Sequence, residues 1–219
     1  FDNKIVAGST FIAGAASLGQ FNGNIIGPGA TFDMTGAVIL NVSLNIVSNN
    51  CTLTLNNATL DSLVSNNLKS GSSLLLDNST MTTVLNNELS SGASISLQNA
   101  TASGLFYNNM VSGGAGLFLI GSSFDSVYGN SISNSSVVLS GASLSTFNEN
   151  QIVASSITAD SSTVVQSIVG NTISSVGSLI LVAATITSLS YNHVGSNSIF
   201  DITGIAAASV DYNIVMNES

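Results

Sequence analysis

One spacing governs this chain. An apolar residue, two variable positions, an asparagine, one variable position and usually another apolar residue recur along it. The copies read Phe21-Asn22-Gly23-Asn24-Ile25-Ile26, Val64-Ser65-Asn66-Asn67, Val84-Leu85-Asn86-Asn87 and Phe106-Tyr107-Asn108-Asn109. They continue as Val127-Tyr128-Gly129-Asn130, Phe147-Asn148-Glu149-Asn150, Ile168-Val169-Gly170-Asn171, Leu189-Ser190-Tyr191-Asn192 and Val210-Asp211-Tyr212-Asn213. A weaker copy ends at Asn45. The anchors Asn24, Asn45, Asn67, Asn87, Asn109, Asn130, Asn150, Asn171, Asn192 and Asn213 lie 20 to 22 residues apart. Lys4, after Phe1, marks a degenerate first copy. Residues 1–219 therefore read as a single repeat domain, and a period of this length implies a stacked array.

Further columns share the period. Eight and ten residues after most anchors come paired apolars: Leu53/Leu55, Leu74/Leu76, Ile95/Leu97, Leu117/Leu119, Val137/Leu139 and Leu179/Leu181. About fifteen residues after it comes a single one, as in Leu60, Met81, Phe124, Leu144 and Ile186. Alternation over so few residues is a strand signal. Every apolar run is broken within a few residues, so no window supports a helix. Three short strands per copy make one turn of a three-sided β-solenoid. Coils stacked at the interstrand spacing give a rod of about ten coils and about 50 Å. One coil cannot bury its apolar side chains; stacking builds the core. Amides stacked at a bend bond one another and the backbone, so an internal Asn ladder is expected at Asn67, Asn87, Asn109, Asn130, Asn150, Asn171 and Asn192. A leucine-rich repeat needs a denser leucine block with the asparagine inside it, which this spacing lacks.

Composition then removes whole classes of function. Asn, Ser and Thr make up 83 of 219 residues, yet 44% of the chain is apolar, too much for disorder. The formal charge is −9, with two lysines and no arginine. Such a surface cannot displace counterions from nucleic-acid phosphate or dock on anionic lipid. The longest apolar run, Leu179 to Ala184, is far short of a membrane helix, so no membrane insertion is expected. No stretch resembles a signal peptide. Cys51, the one cysteine, reads as a small buried residue. Seven N-x-Ser/Thr sequons occur, at Asn41, Asn50, Asn57, Asn78, Asn99, Asn134 and Asn217. With 26 Asn and 57 Ser or Thr in the chain, chance yields that number. Acidity, few lysines and abundant Ser, Thr and Asn point to an extracellular or cell-surface setting.

The coil length and turns such as Val127-Tyr128-Gly129-Asn130-Ser131-Ile132 resemble the right-handed parallel β-helix of pectin-lyase-like proteins. The resemblance covers nearly the whole chain. It implies a right-handed all-β solenoid and leaves function open, because such helices host lyases, hydrolases, adhesins and inert shafts. The lyases of that fold use acidic calcium ligands and a basic catalytic residue. Here the two lysines lie three coils apart and arginine is absent. A glycosidase needs two carboxylates facing one bond. Asp61 and Asp125 share a column about three coils apart, and Asp33 and Asp77 are expected to share another two coils apart. His193 has no evident acid partner to orient it for nucleophile activation. Ser112-Gly113-Gly114-Ala115-Gly116 lacks the lysine of a phosphate loop. The expectation is no enzyme, no metal and no cofactor.

A hydroxyl motif runs around the third strand: Thr59, Thr80, Thr82, Thr101, Ser103, Ser123, Ser143, Ser145, Thr185 and Thr187. Residues flanking an inward apolar face outward on a strand. These form the candidate binding face, which resembles the T-x-T faces of ice-binding solenoids, with Asp61, Asp125 and Gln166 as interruptions. Both termini, Phe1 and Ser219, stay in repeat phase, and open solenoid ends invite stacking. The expected role is a filament or surface-shaft subunit that self-associates through its ends. The rival is an adhesin, carbohydrate-binding or ice-binding module that uses the hydroxyl face.

Overall fold

The computed structural model describes residues 2–182 and 184–216, leaving aside the side chains of 102 and 103. It is an all-β parallel solenoid of about ten coils with three strands per coil. No helix occurs among the described residues. The first sheet has eleven strands, from Lys4–Ile5 to Ile214–Val215, mostly two or three residues each. The second has ten, from Thr10–Ile12 to Ile199–Asp201. The third has ten, from Ser17–Asn22 to Ala206–Asp211. Every strand pairs in parallel with its counterpart one coil away, as in Leu74 with Leu53 and Ile95, so equivalent residues stack.

Strand alternation explains the core. In Ser73–Asp77 and Ser94–Gln98 the second and fourth residues point inward and are buried. The paired columns Leu53/Leu55 through Leu179/Leu181 and the single column Leu60, Met81, Phe124, Leu144 and Ile186 all lie in this core. A further inward column runs through Val42, Leu63, Val84, Phe106, Val127, Phe147, Ile168 and Leu189. Each buried Leu, Ile or Phe contributes about 1.5–3 kcal/mol.

At the corner between the third and first sheets the Asn ladder runs the length of the rod. Asn109 illustrates one rung. Its Nδ2 donates to Asn130 Oδ1 (3.1 Å), Val84 O (3.2 Å) and Tyr107 O (3.0 Å). Its Oδ1 accepts from Asn87 N (2.9 Å) and Asn87 Nδ2 (3.1 Å). Amide and carbonyl are thus both satisfied in a site 1% exposed. Equivalent bonds link Asn24, Asn45, Asn66, Asn87, Asn109, Asn130, Asn150, Asn171, Asn192 and Asn213.

One expected rung is corrected. The ladder passes through Asn66, not Asn67. The inward apolar residue of that coil is Leu63, 1% exposed, whereas Val64 is half-buried. Counting from Val64 shifts the anchor by one. Asn67 instead begins the strand Asn67–Leu68, and its Nδ2 donates to Glu88 Oε2 at 2.9 Å. The first rung is Asn3, which donates to Asn24 Oδ1, rather than neighbouring Lys4.

The other two corners hold small buried residues. Between the second and third sheets these are Ala37, Ala58, Ser79, Ala100, Ser122, Ala142, Thr163 and Ala184. Between the first and second they include Ala30, Cys51, Ser72, Ala93, Ala115, Ser135 and Ser155. Cys51 therefore fills a small-residue column, with its thiol on Gly27 O. This geometry accounts for most sequons. Asn50, Asn57, Asn78, Asn99 and Asn134 are exposed and left-handed, with φ from 47° to 55°. Each precedes a small buried residue and then an outward Ser or Thr. Asn41 lies on a strand instead, and Asn217 lies outside the described residues.

Candidate functional site

The hydroxyl face lies on the third sheet. Thr59, Thr80, Thr101, Ser123 and Ser143 align on five successive coils. The row is then broken by Val164, resumes at Thr185, and is preceded by Val38. Thr82, Ser145 and Thr187 hold the next outward position in their strands, where Asp61, Asp125 and Gln166 interrupt. Thr59, Thr80, Thr82, Thr101, Ser143, Thr185 and Thr187 are exposed; Ser123 and Ser145 are half-buried. The Ser103 side chain lies outside the described set.

Two longer hydroxyl rows lie beyond the candidate residues: the third-sheet one belongs to the same sequence motif, and the second-sheet one escaped sequence reasoning. On the third sheet Ser62, Thr83, Ser126, Thr146, Ser167, Ser188 and Ser209 align, with Leu105 as the one break between Thr83 and Ser126. Ser126 Oγ and Thr146 Oγ1 are 2.6 Å apart. On the second sheet Thr10, Thr31, Thr52, Ser73, Ser94, Ser136, Ser156 and Ser178 align, with Gly116 between Ser94 and Ser136. The signal was present: a Ser or Thr directly before the first inward residue, as in Thr52-Leu53, Ser73-Leu74 and Ser94-Ile95. Outward hydroxyls thus cover two faces of the rod.

The acidic groups do not converge. Asp33 aligns with Thr54, and Asp77 with Asn56 and Gln98, so they occupy different columns rather than the shared one expected. Both point outward, but Asp33 is the third residue from the strand start and Asp77 the fifth, so they lie two residues apart along the strand. Among the described residues no group of three His, Cys, Asp or Glu is close enough to hold a metal. His193 is half-buried at the start of a first-sheet strand, between Thr172 and Ile214.

Three aspartates cap corners. For Asp160, burial raises the carboxyl pKa. Hydrogen bonds from Ser140, Ser162, Gly141 N and Thr163 outweigh that and hold it well below the ordinary value. Its distances include 2.6 Å to Ser140 Oγ and 2.7 Å to Ser162 Oγ. Asp33 and Asp201 repeat one motif at distant coils, Phe32-Asp33-Met34-Thr35-Gly36 and Phe200-Asp201-Ile202-Thr203-Gly204. In each the aspartate accepts from the threonine hydroxyl and backbone N–H, which lowers its pKa. These carboxylates are occupied by the turns they close.

No protein-family model matches the chain, and no curated protein matches it. Among solved structures it is similar to HetL, a pentapeptide repeat protein involved in heterocyst differentiation regulation from the cyanobacterium Nostoc sp. strain PCC 7120. The match covers 93% of this chain and 87% of that one, at 15% identity and a TM-score of 0.30. That structure is a pentapeptide repeat protein rather than a pectin-lyase-like one, and a likeness this distant carries no argument about family or task.

Proposed function

We propose that the chain is a non-catalytic structural module, a length of filament or surface shaft that works outside the cell. The observation that carries this reading is the direction of the ladder. Each amide donates from one coil to the next in chain order, from Asn3 to Asn213. A ladder that runs in one direction continues through any further coil of the same kind. Core residues at both extremes, Ile5, Leu18 and Phe21 and then Phe200, Ile202 and Ile205, are only partly buried. Stacking on them extends the same core. Heterologous stacking of this kind does not close, so it builds a fibre. Right-handed winding is part of the proposal, as parallel crossovers take that hand in about 98% of cases. The non-catalytic assignment draws on the scattered acids, and the extracellular one on composition.

Electron microscopy at two concentrations tests the reading. Filaments with an axial repeat near the length of about ten coils, about 50 Å, are the expected result. Isolated short rods at both concentrations would sink end-to-end assembly.

A second reading is a carbohydrate- or surface-binding module, including ice binding. It is favoured by the exposed threonines of the third sheet. A glycan array and an ice-recrystallisation assay test it.

A further inference from the structure

We propose that a trough on the third sheet, spanning three coils, is a subsite for a neutral saccharide. The inference rests on the second reading above and gives it a place and a chemistry. Thr59, Thr80 and Thr101 form one wall, and Asp61 and Thr82 the other. Buried Leu60 and Met81 supply the floor.

The trough follows from the strand geometry. Pairing runs Thr80 to Thr59, Met81 to Leu60, then Thr83 to Ser62, passing over Thr82 and Asp61. Two successive residues therefore turn outward, as they do in the other coils of this sheet, and at these three coils the surface is hollow before them. The hollow measures about 270 Å³. Ligand clefts run from about 300 to 1,000 Å³, so this one takes one or two sugar units rather than a long chain.

Its ends are defined. On one side the rows pass to Val38 and Leu40, 46% and 59% exposed, which offer apolar surface to a sugar ring face. On the other, the strand Thr101–Tyr107 carries an extra residue, and the register shifts between Ala102 and Leu105. There Gly104 packs so closely that a Cβ would lie 1.8 Å from Thr82 O. Bulges of this kind commonly end or re-aim a surface.

Its chemistry suits a polyol. Three threonine hydroxyls recur at about 4.8 Å, each able to donate and accept. Thr80 Oγ1 donates to Thr59 Oγ1 at a long 3.3 Å, which leaves room for exchange with ligand hydroxyls. Asp61 is exposed and makes no hydrogen bond to a described residue. A carboxylate acceptor of that kind binds a sugar hydroxyl strongly and repels acidic sugars. The larger groove on the second sheet, beside Val138, Thr158 and Val182, lacks this feature, because its Asp160 is already saturated.

Isothermal titration of the full chain with cellotetraose, mannotetraose, chitotetraose and trigalacturonate tests the proposal. At least one neutral probe should bind and trigalacturonate should not. Thr80→Val should weaken that binding roughly five- to tenfold, the value of one hydrogen bond. Asp61→Asn should weaken it at least as much. Thr185→Val, in the same row but four coils beyond Thr101, should leave it unchanged, and all three variants should keep the parent unfolding midpoint. Binding that Thr80→Val and Asp61→Asn do not alter overturns the trough and leaves the second reading standing. No binding by any neutral probe at about 10 mM, a free energy near −2.7 kcal/mol, overturns the trough, and the second reading falls with it only if the glycan array and the ice-recrystallisation assay are also blank.

Discussion

The ladder corner and the small-residue corner between the second and third sheets solve one problem in different ways. Both turn the chain through a left-handed residue. Before the ladder asparagine that residue is Asp2, Gly23, Leu44, Ser65, Asn86, Asn108, Gly129, Glu149, Gly170, Tyr191 or Tyr212, all with φ between 52° and 68°. At the other corner it is Gly36, Asn57, Asn78, Asn99, Gly121, Gly141 or Gly204, with Ala15 an exception; the turn before Thr163 has no left-handed residue and is closed by Asp160 instead. One corner accepts leucine, glutamate and tyrosine; the other takes almost only Asn and Gly. Left-handed backbone costs an ordinary residue about 1–2 kcal/mol. Such strain persists where surrounding structure over-determines it. A ladder rung supplies up to five hydrogen bonds that fix the backbone on both sides, as at Asn109. An alanine at the small corner supplies none through its side chain, so the turn residue must favour the conformation itself. Where serine replaces alanine, as at Ser79, its hydroxyl bonds Leu55 O and Asp77 O and does part of the ladder's work.

The sharpest way to break this comparison is to remove a rung. Asn109→Ala takes the side-chain acceptor from Asn87 N, one of three acceptors from Asn87 Nδ2, and the side-chain donors to Val84 O and Tyr107 O. A loss of about 3–5 kcal/mol is expected from buried groups left unpaired. Urea unfolding measures it, and a loss under about 1 kcal/mol would mean that the ladder does not hold the coils together. Next comes Asn78→Leu, which puts a side chain tolerated at Leu44 into the corner that lacks a ladder. It should cost about 1–2 kcal/mol. If it is neutral, the two corners are alike and the account fails. Smaller still is Ser65→Ala before the ladder, expected within about 0.5 kcal/mol of the parent. Asn78→Ala should exceed it in the same assay.

The last prediction concerns acid. The folded pKa of Asp160 is held below its ordinary value of 3.8. Its stabilisation is therefore present above that value and is lost as pH falls through and below it. Below about pH 4 the unfolding midpoint of the parent should drop more steeply than that of Asp160→Asn, which does not titrate. Parallel slopes would show that the hydrogen bonds at this turn do not prefer the charged carboxylate.

The difference between corners also explains what could be read in advance. The period was legible because each rung demands the same side chain, so Asn recurs wherever the coil returns. The single misplaced rung, Asn67 for Asn66, arose where Val64 is an outward apolar residue beside the inward Leu63. A one-residue shift on a strand exchanges the two faces, and Ser65-Asn66-Asn67 offered no second marker. The small-residue corners left a fainter trace, since Ala, Ser, Cys and Thr share volume but not chemistry. Their clearest mark was the recurrent Asn-small-Thr triad at Asn57, Asn78 and Asn99, whose count alone matched chance.

The hydroxyl residues divide in the same manner. Thr59, Thr80 and Thr101 were legible as a row because each follows an Asn-small pair at constant spacing. Their trough was not. It depends on two residues turning outward in succession and on an extra residue near Gly104, both of which arise from how neighbouring strands pair.

The sequence by itself determined the solenoid, its coil length, its core columns and the presence of an internal ladder, because those features repeat and each copy restates the constraint. Only the tertiary structure decided which asparagine of a doublet turns inward, which hydroxyl rows share a face, and where that face becomes concave. These depend on registry between coils some twenty residues apart in the chain, and no local pattern encodes the contact between one coil's backbone and the next.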